Sequence, residues 1–172
     1  AVGLKQIVRS RNSSQFADED IVAALEELER PLEGGVNADV IVPLNTSDFV
    51  AETCRFHVEK MSSERYHAER MLFLGRPIGT EPSAVMTFAP NFNSRRVQVM
   101  YADGGIMPIV DEIGNSIQVA LDGSYLAAAY AGLDVSPAYD VAEPMTRKQL
   151  AGFDRLVRTL NETEMNQLAS KS

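Results

Sequence analysis

Apolar and polar residues repeat with two different periods along the first half of the chain. An acidic start, apolar residues at helical spacing and a following proline predict a helix over residues 18–30. The same spacing predicts a helix over residues 48–61, with Phe49 on its apolar face. Pro82, in the position of a first helical turn, predicts a third helix over residues 81–89. Either Thr46 or Ser47 can cap the second of these helices, because a hydroxyl oxygen accepts from first-turn amides.

Between these helices lie three short runs of β-branched and other apolar residues, near positions 39–44, 70–74 and 97–101. Runs of this length, bounded by glycine, proline or polar residues, are typical of buried strands. Strands that alternate with helices indicate parallel pairing through right-handed crossovers. We therefore expect an α/β fold: a three-layer unit with a mainly parallel sheet flanked by helices, in one domain over residues 1–172.

Residues 104–121 break this alternation. Two apolar runs, 106–110 and 117–121, flank the polar segment EIGNS. Such a pattern predicts a β-hairpin, here a β-rich excursion from the sheet. The pair Gly104 and Gly105 marks the point where the excursion begins.

An alanine-rich helix is predicted directly after the hairpin. Asp122 is expected to cap it and Gly132 to close it in the left-handed conformation, with residues 124–131 as its interior. That interior is almost without charge, and a helix that is apolar on all sides is normally buried on several of them. Alanine side chains also allow neighbouring backbones to come close.

The last third of the chain contains recognisable pieces in a fixed order. They are a strand at 97–101, a small-residue helix at 123–131, a proline-containing loop at 136–144, a short extended segment at 145–153, and a final helix at 161–169. This order resembles the sheath subunits of contractile phage tails and related injection machines, over about residues 20–172. The arginine and tryptophan that many members carry after the small-residue helix are missing, which indicates a divergent branch.

The resemblance implies a structural protein with no catalytic, cofactor-binding or metal-binding residues. Such a subunit polymerises helically around an inner tube and contracts to drive the tube through a cell envelope. The implied partners are other copies of the chain, the inner tail tube protein, and baseplate and terminator proteins. The implied location is the virion tail, after assembly in the host cytoplasm. A tailed phage, a bacteriocin and an intracellular injection system stay equally open as the host machine.

The ends of the chain suggest a fragment of a longer subunit. Position 1 is alanine, and the chain stops soon after a predicted helix, where an α/β pattern calls for another strand. In sheath assemblies, terminal segments add strands to the sheets of neighbouring subunits. We therefore expect the 172-residue piece to be a monomer or weak oligomer by itself.

Charge and cysteine content narrow the choice of partners. The net charge is −8, without a concentrated basic cluster, which argues against nucleic acid and against anionic membrane surfaces. No apolar run approaches the length of a membrane-spanning helix. The single cysteine, Cys54, cannot form an internal disulfide and is expected to be a buried, inert thiol.

The alternative function is a small α/β hydrolase or nucleotide-handling enzyme with Asp103 near its site. Asp103 follows the third predicted strand, at the edge where α/β enzymes hold catalytic carboxylates, although it also reads as an acidic turn residue. The two histidines, His57 and His67, provide too few ligands for zinc without further partners. A Ser-His-Asp triad stays open, because such triads assemble only in three dimensions. Phosphate-binding glycine motifs are missing from the sequence.

Overall fold

The computed structural model describes residues 17–29, 38–135 and 149–170. Its helices are α1 (Asp18–Glu29), α2 (Asp48–Met61), α3 (Pro82–Phe88), α4 (Gly123–Asp134) and α5 (Glu162–Ala169), with a 3₁₀ turn at Ala89–Phe92. Its strands are β1 (Val40–Ile41), β2 (Met71–Leu74), β3 (Val97–Val99), β4 (Gly104–Val110), β5 (Ser116–Asp122) and β6 (Arg155–Leu156).

β1, β2 and β3 form a parallel sheet with β2 in the centre. Val40 pairs with Met71, and Leu72 pairs with Val97. The parallel pairing predicted from the alternation of strands and helices is confirmed, although each strand is shorter than the apolar run that predicted it. The chain is therefore an α/β protein in the broad sense.

Side chains of β2 enter two different apolar clusters, because successive residues of a strand point to opposite faces. Leu72 and Leu74 join a cluster with residues of α1, α2 and the α3 region. Phe73 joins a second cluster with Ala127 and Ala131 of α4. The side chains of Leu72, Phe73 and Leu74 are almost completely buried. The central strand is therefore the best-packed element of the sheet.

The start of α2 is held by a network that also involves α1. Ser47 is the N-cap, and its Oγ accepts from the amide of Val50 at 3.1 Å. The Asp18 carboxylate accepts from Nδ2 of Asn45 at 2.8 Å and from the Ser47 hydroxyl at 3.1 Å. Of the two capping residues allowed by the sequence, Ser47 is the one used. Phe49, which helical spacing assigns to the apolar face of α2, is instead exposed.

A second, antiparallel sheet contains the predicted hairpin. β4 and β5 pair along their whole length, from Gly104 with Asp122 to Val110 with Ser116. The hairpin prediction for 104–121 is thus confirmed. β6 pairs with the other edge of β4, where Gly105 faces Leu156. The sequence reading missed β6, because a two-residue strand leaves no periodic signal.

The ends of α4 differ from the prediction. Gly132 does not close the helix but lies inside it, and α4 ends at Asp134, where the Val135 amide donates to the Ala131 carbonyl at 3.1 Å. Asp122 occupies the N-cap position, yet its carboxylate accepts from the nearby Ser124 hydroxyl instead of a first-turn amide. Leu126, Ala127 and Ala131 are buried and Tyr125 is exposed, so α4 is buried on several sides, as predicted, and open on another.

The final helix is predicted correctly in type and position. Asn161 caps α5 through a reciprocal capping box with Glu164, which satisfies two amides of the first turn. The predicted loop at 136–144 and the beginning of the extended segment at 145–153 lie outside the described residues. Within the described ranges, no helix is long and apolar enough to span a membrane.

Candidate functional site

The carboxyl edge of the parallel sheet is formed around a contact between two glycines. Gly75 follows β2, and Gly123 begins α4. A Cβ atom on Gly75 would lie 2.0 Å from the backbone carbon of Gly123, so this approach excludes any side chain. The Gly123 amide donates to the Arg76 carbonyl at 2.9 Å. The start of α4 is therefore fixed directly against the end of the central strand.

Asp103, the sequence-predicted candidate, lies at this same edge. Its side chain is buried, with 3% of the residue exposed. Oδ2 accepts from the Gly79 amide at 3.0 Å, which ties the residue to the loop between β2 and α3. Oδ1 is buried and has no hydrogen-bond partner among the described residues. Asp103 thus holds a loop with one oxygen and leaves the other unsatisfied.

Tyr101, two residues earlier, has a similar orphan atom. Its hydroxyl is buried, and the described part of the chain offers it no hydrogen bond. Burial raises the pKa of Tyr101, while the positive charge of Arg158 acts in the opposite direction. The phenol is therefore neutral at physiological pH and available as a donor.

Residues 153–158 cover the beginning of β4, directly after Asp103. A Cβ on Gly105 would lie 2.4 Å from the ring of Phe153, and one on Gly104 would lie 3.2 Å from Val157. Arg158 pairs with Glu81 at 2.6 Å and with Glu164 at 2.7 Å. The C-terminal segment is therefore packed and ion-paired over this end of the sheet.

His57 belongs to a different cluster, at the amino end of β2. The residue is 4% exposed, and its Nε2 contacts Nη1 of the equally buried Arg70. Its Nδ1 lies 3.4 Å from Oε1 of Glu29, which is an ion-pair distance without hydrogen-bond geometry. Glu29 also binds Nζ of Lys60 at 2.5 Å. Burial, followed by the charge of Arg70, lowers the pKa of His57.

The structure keeps the sequence-predicted candidates apart. Asp103 follows β3 and His57 contacts the residue before β2, so the two side chains lie at opposite edges of a parallel sheet. His67 is exposed, in the left-handed backbone region with φ 51°. Over the described ranges, no group of three or more histidine, cysteine or acidic side chains could hold a metal ion.

Cys54 lies where the sequence predicted it, buried in α2. Burial raises the pKa of its thiol to about 12. A thiol that stays protonated is a poor nucleophile. The prediction of a buried thiol is confirmed, and the pKa agrees with an inert one.

The other prominent surface feature is the tip of the β4–β5 hairpin. Ile113 is 82% exposed and Val110 is 71% exposed. The turn between β4 and β5 is ordered by Asp111, whose Oδ1 accepts from the amides of Ile113 at 3.0 Å and Asn115 at 2.8 Å. On its other side, β5 has no partner strand within the described sheet. The hairpin therefore exposes apolar side chains at its tip, and β5 is an edge strand of the described sheet.

Two of these features were missed by sequence reasoning. The contact between His57 and Arg70 joins residues of different elements, and no local sequence pattern predicts it. The only available signal was an arginine placed directly before the buried run MLFL. Exposure of the hairpin tip was equally invisible, because Ile113 looks like any apolar residue near a strand.

No protein-family model matches the chain, and no curated protein matches it significantly.

Proposed function

We propose that this chain is the α/β body of a contractile tail sheath subunit. In this role it polymerises helically with other copies around an inner tail tube protein, and the assembly contracts to drive the tube through a cell envelope. Its further partners are baseplate and terminator proteins, and its location is the virion tail after assembly in the host cytoplasm. The protein acts mechanically and catalyses no reaction.

The observation that carries the proposal is the order of elements in the last third of the chain. A strand, a hairpin, a small-residue helix and a capped final helix follow one another at 97–99, 104–122, 123–134 and 162–169. The strand, the small-residue helix and the final helix are three of the five pieces on which the resemblance to sheath subunits is based; the loop at 136–144 and the beginning of the extended segment at 145–153 lie outside the described residues. Alternate side chains of β2 enter two apolar clusters, one on each face of the parallel sheet. Helices on both faces of a sheet support the three-layer arrangement expected of such a body.

The surfaces of the described residues suit a subunit that binds its neighbours. A helical filament needs two different complementary surfaces per subunit, because head-to-tail contacts do not close. The exposed edge of β5 can accept a strand from another chain, and the apolar tip at Ile113 can insert into a neighbour. Both features lie on the hairpin, away from the buried sheet.

The alternative is a small α/β hydrolase or nucleotide-handling enzyme. Its support is the unpartnered oxygen of Asp103 at the carboxyl edge of the sheet. A catalytic carboxylate must come within hydrogen-bond reach of its substrate. Asp103 is buried, and its Oδ2 already accepts a hydrogen bond from the Gly79 amide. It also directly precedes β4, whose first residues are covered by Phe153 and Val157. The mechanical role is therefore the better supported of the two.

Immunoelectron microscopy of contractile particles from the source organism tests the proposal. Polyclonal antibodies raised against the chain should label the sheath repeatedly along its length, since a helical polymer repeats each epitope. The same antibodies, first absorbed with purified chain, provide the control. Label confined to non-particulate protein, or to the tube after the sheath is removed, would contradict the proposal.

A further inference from the structure

The two edges of the antiparallel sheet differ in their protection. Backbone groups of successive residues in a strand point alternately to one neighbour and to the other. On the β6 side of β4, the Gly104 carbonyl accepts from the Val157 amide at 2.9 Å. The Ile106 carbonyl accepts from the Asp154 amide at 2.9 Å. By the same alternation, the next position on this side is Pro108, which has no N–H to donate. β6 and Pro108 therefore protect this edge of β4.

The edge formed by β5 has no such protection among the described residues. The Asp111 amide donates to the Asn115 carbonyl at 2.9 Å, so the odd-numbered residues of this strand face β4. The N–H and C=O groups of Ser116, Gln118 and Ala120 therefore point away from β4. All three residues are exposed. β5 contains no proline, and its only charged residue is its last one, although proline and charge are the usual protection of an edge strand.

The side chains along β5 are complementary to the same strand in the opposite direction. Residues 116–120 are Ser-Ile-Gln-Val-Ala, with a small residue at each end, a β-branched residue inside each of them and an amide in the centre. In antiparallel pairing of two copies centred on Gln118, Ile117 lies opposite Val119 of the other copy, and such β-branched pairs stabilise a sheet. Gln118 lies opposite itself, and an amide both donates and accepts. This pattern suits a contact in which both copies use the same patch.

The same pairing extends an apolar row that is partly exposed in the single chain. Ile109 of β4 lies opposite Ile117 of β5, and these residues are 36% and 40% exposed. Met107 lies opposite Val119 in the same way. Joining two β5 strands places Ile117 beside Val119 of the second copy, so the row continues from one hairpin into the other. Each Ile117 side chain then gains an apolar neighbour on its open side.

Charge and size determine what kind of contact two β5 strands can make. The chain has a net charge of −8, so most surfaces of two copies repel each other. Residues 116–121 are uncharged, so two copies can meet there without placing like charges opposite one another. Five paired residues bury far less than the about 800 Å² per partner of a standard stable interface. The contact is therefore weak and reversible.

We propose that β5 is a self-recognition edge: two copies of the chain associate by antiparallel pairing of residues 116–120, with Gln118 on the two-fold axis. A two-fold contact closes with two copies, so it is distinct from the head-to-tail contacts that build a filament. The proposal does not depend on a role in a sheath. The competing apolar surface is on α2, where Phe49 and Phe56 are each 58% exposed.

Sedimentation equilibrium of the intact chain, from micromolar to millimolar concentration, tests for the association. The average mass should rise from that of one chain toward that of two and stop there, because a two-fold contact is saturated by one partner. A mass that stays at one chain throughout would overturn the proposal. So would a mass that rises beyond two chains.

Two substitutions of Ala120 form a matched pair. Ala120→Pro removes an amide that points away from β4, so the hairpin ladder stays intact while, by symmetry, two intermolecular hydrogen bonds are lost. It should raise the dissociation constant of the dimer at least about tenfold. Ala120→Ser keeps the amide and should change the constant less than about twofold. A dimer that is equally strong in Ala120→Pro would place the contact elsewhere, such as at Phe49 and Phe56, and would refute the proposal.

Disulfide formation tests the register directly and covers the case in which Ala120→Pro does not fold. Cysteines in Gln118→Cys face each other across the axis, with Cα atoms about 5.5 Å apart, within disulfide range. Ser116→Cys is the control, because Ser116 lies opposite Ala120 of the other copy. Cys54 is buried and does not compete. Under mild oxidation, Gln118→Cys should form linked dimers at least about tenfold faster than Ser116→Cys. Equal rates, or none in Gln118→Cys, would overturn the proposal.

Discussion

The two sheets of this protein use their strands in opposite ways. β2 has only four residues, and its last three side chains are almost completely buried. β4 and β5 have seven residues each, yet their tip is largely exposed. Parallel strands need cover on both faces, whereas antiparallel ribbons tolerate water on one. Strand length is therefore a poor guide to which sheet stabilises the molecule, and burial is a better one.

The difference assigns separate tasks to the two regions. The parallel sheet carries the apolar clusters on which folding depends. The hairpin is maintained by its backbone ladder and by the Asp111 turn, so its side chains can face a partner. Substitutions in the parallel sheet should thus change the free energy of unfolding, whereas substitutions in the hairpin should change only local properties such as amide exchange.

The largest effect is expected in the centre of the sheet. Phe73→Ala removes a fully buried ring that packs near Tyr130, with the ring centroids 5.8 Å apart, and should lower the free energy of unfolding by about 3–5 kcal/mol. Ile113→Ala, at the exposed hairpin tip, should change it by less than about 0.5 kcal/mol. Urea unfolding followed by circular dichroism measures both, since the chain has no tryptophan. An equal decrease in the free energy of unfolding for the two variants would contradict the conclusion that the parallel sheet stabilises the protein more than the hairpin does.

The next effect concerns the glycine contact at the carboxyl edge. Gly75→Ala forces a methyl group into the backbone of Gly123 and should cost about 3 kcal/mol. Gly132→Ala is the matched control, because this glycine lies within α4 with open space around its Cβ position. It should stabilise the protein by about 0.5–1 kcal/mol. The prediction fails if thermal unfolding shows the two variants shifting in the same direction.

A smaller and local effect is expected at the hairpin turn. Asp111→Ala removes the carboxylate that accepts from two turn amides, so exchange of the 111–115 amides should accelerate roughly fivefold. The neighbouring Glu112→Ala should leave it unchanged. Both variants should keep the exchange rates of β2. Faster exchange in β2 as well would show that the hairpin supports the body.

The smallest effect is expected in catalytic assays. The chain should hydrolyse p-nitrophenyl acetate, p-nitrophenyl phosphate and casein no faster than buffer, and Asp103→Ala should not alter this result. The reason is that Asp103 is buried and bonded to Gly79. Turnover that disappears in Asp103→Ala would favour the enzyme alternative over the sheath proposal.

Local signals were sufficient for much of the fold. Residues 48–61 carry a cap and an apolar face, and α2 has those bounds. The two apolar runs around EIGNS predicted the hairpin, whose pairing is confirmed. In both cases the interactions that decide the structure lie within a few residues of one another, so a sequence pattern can show them.

The errors arose where distant residues decide the outcome. Gly132 does not end α4, because glycine can close a helix but does not have to. Phe49 fits the spacing of the apolar face of α2, yet it remains exposed because no neighbouring element covers it among the described residues. The contact between His57 and Arg70 depends on how α2 lies against β2. Such contacts are products of the tertiary fold, and helical or strand periodicity does not contain them.

The register of the two sheets also has a consequence for the order of folding. Val40 and Met71 pair although they are roughly thirty residues apart in the chain, whereas Val110 and Ser116 are separated only by a turn. Closing a short loop costs less conformational entropy than closing a long one. The hairpin can therefore form on the microsecond scale typical of such ribbons, before the parallel strands have met. The hairpin, which contributes no residue to the two apolar clusters, is then formed before the core that surrounds β2.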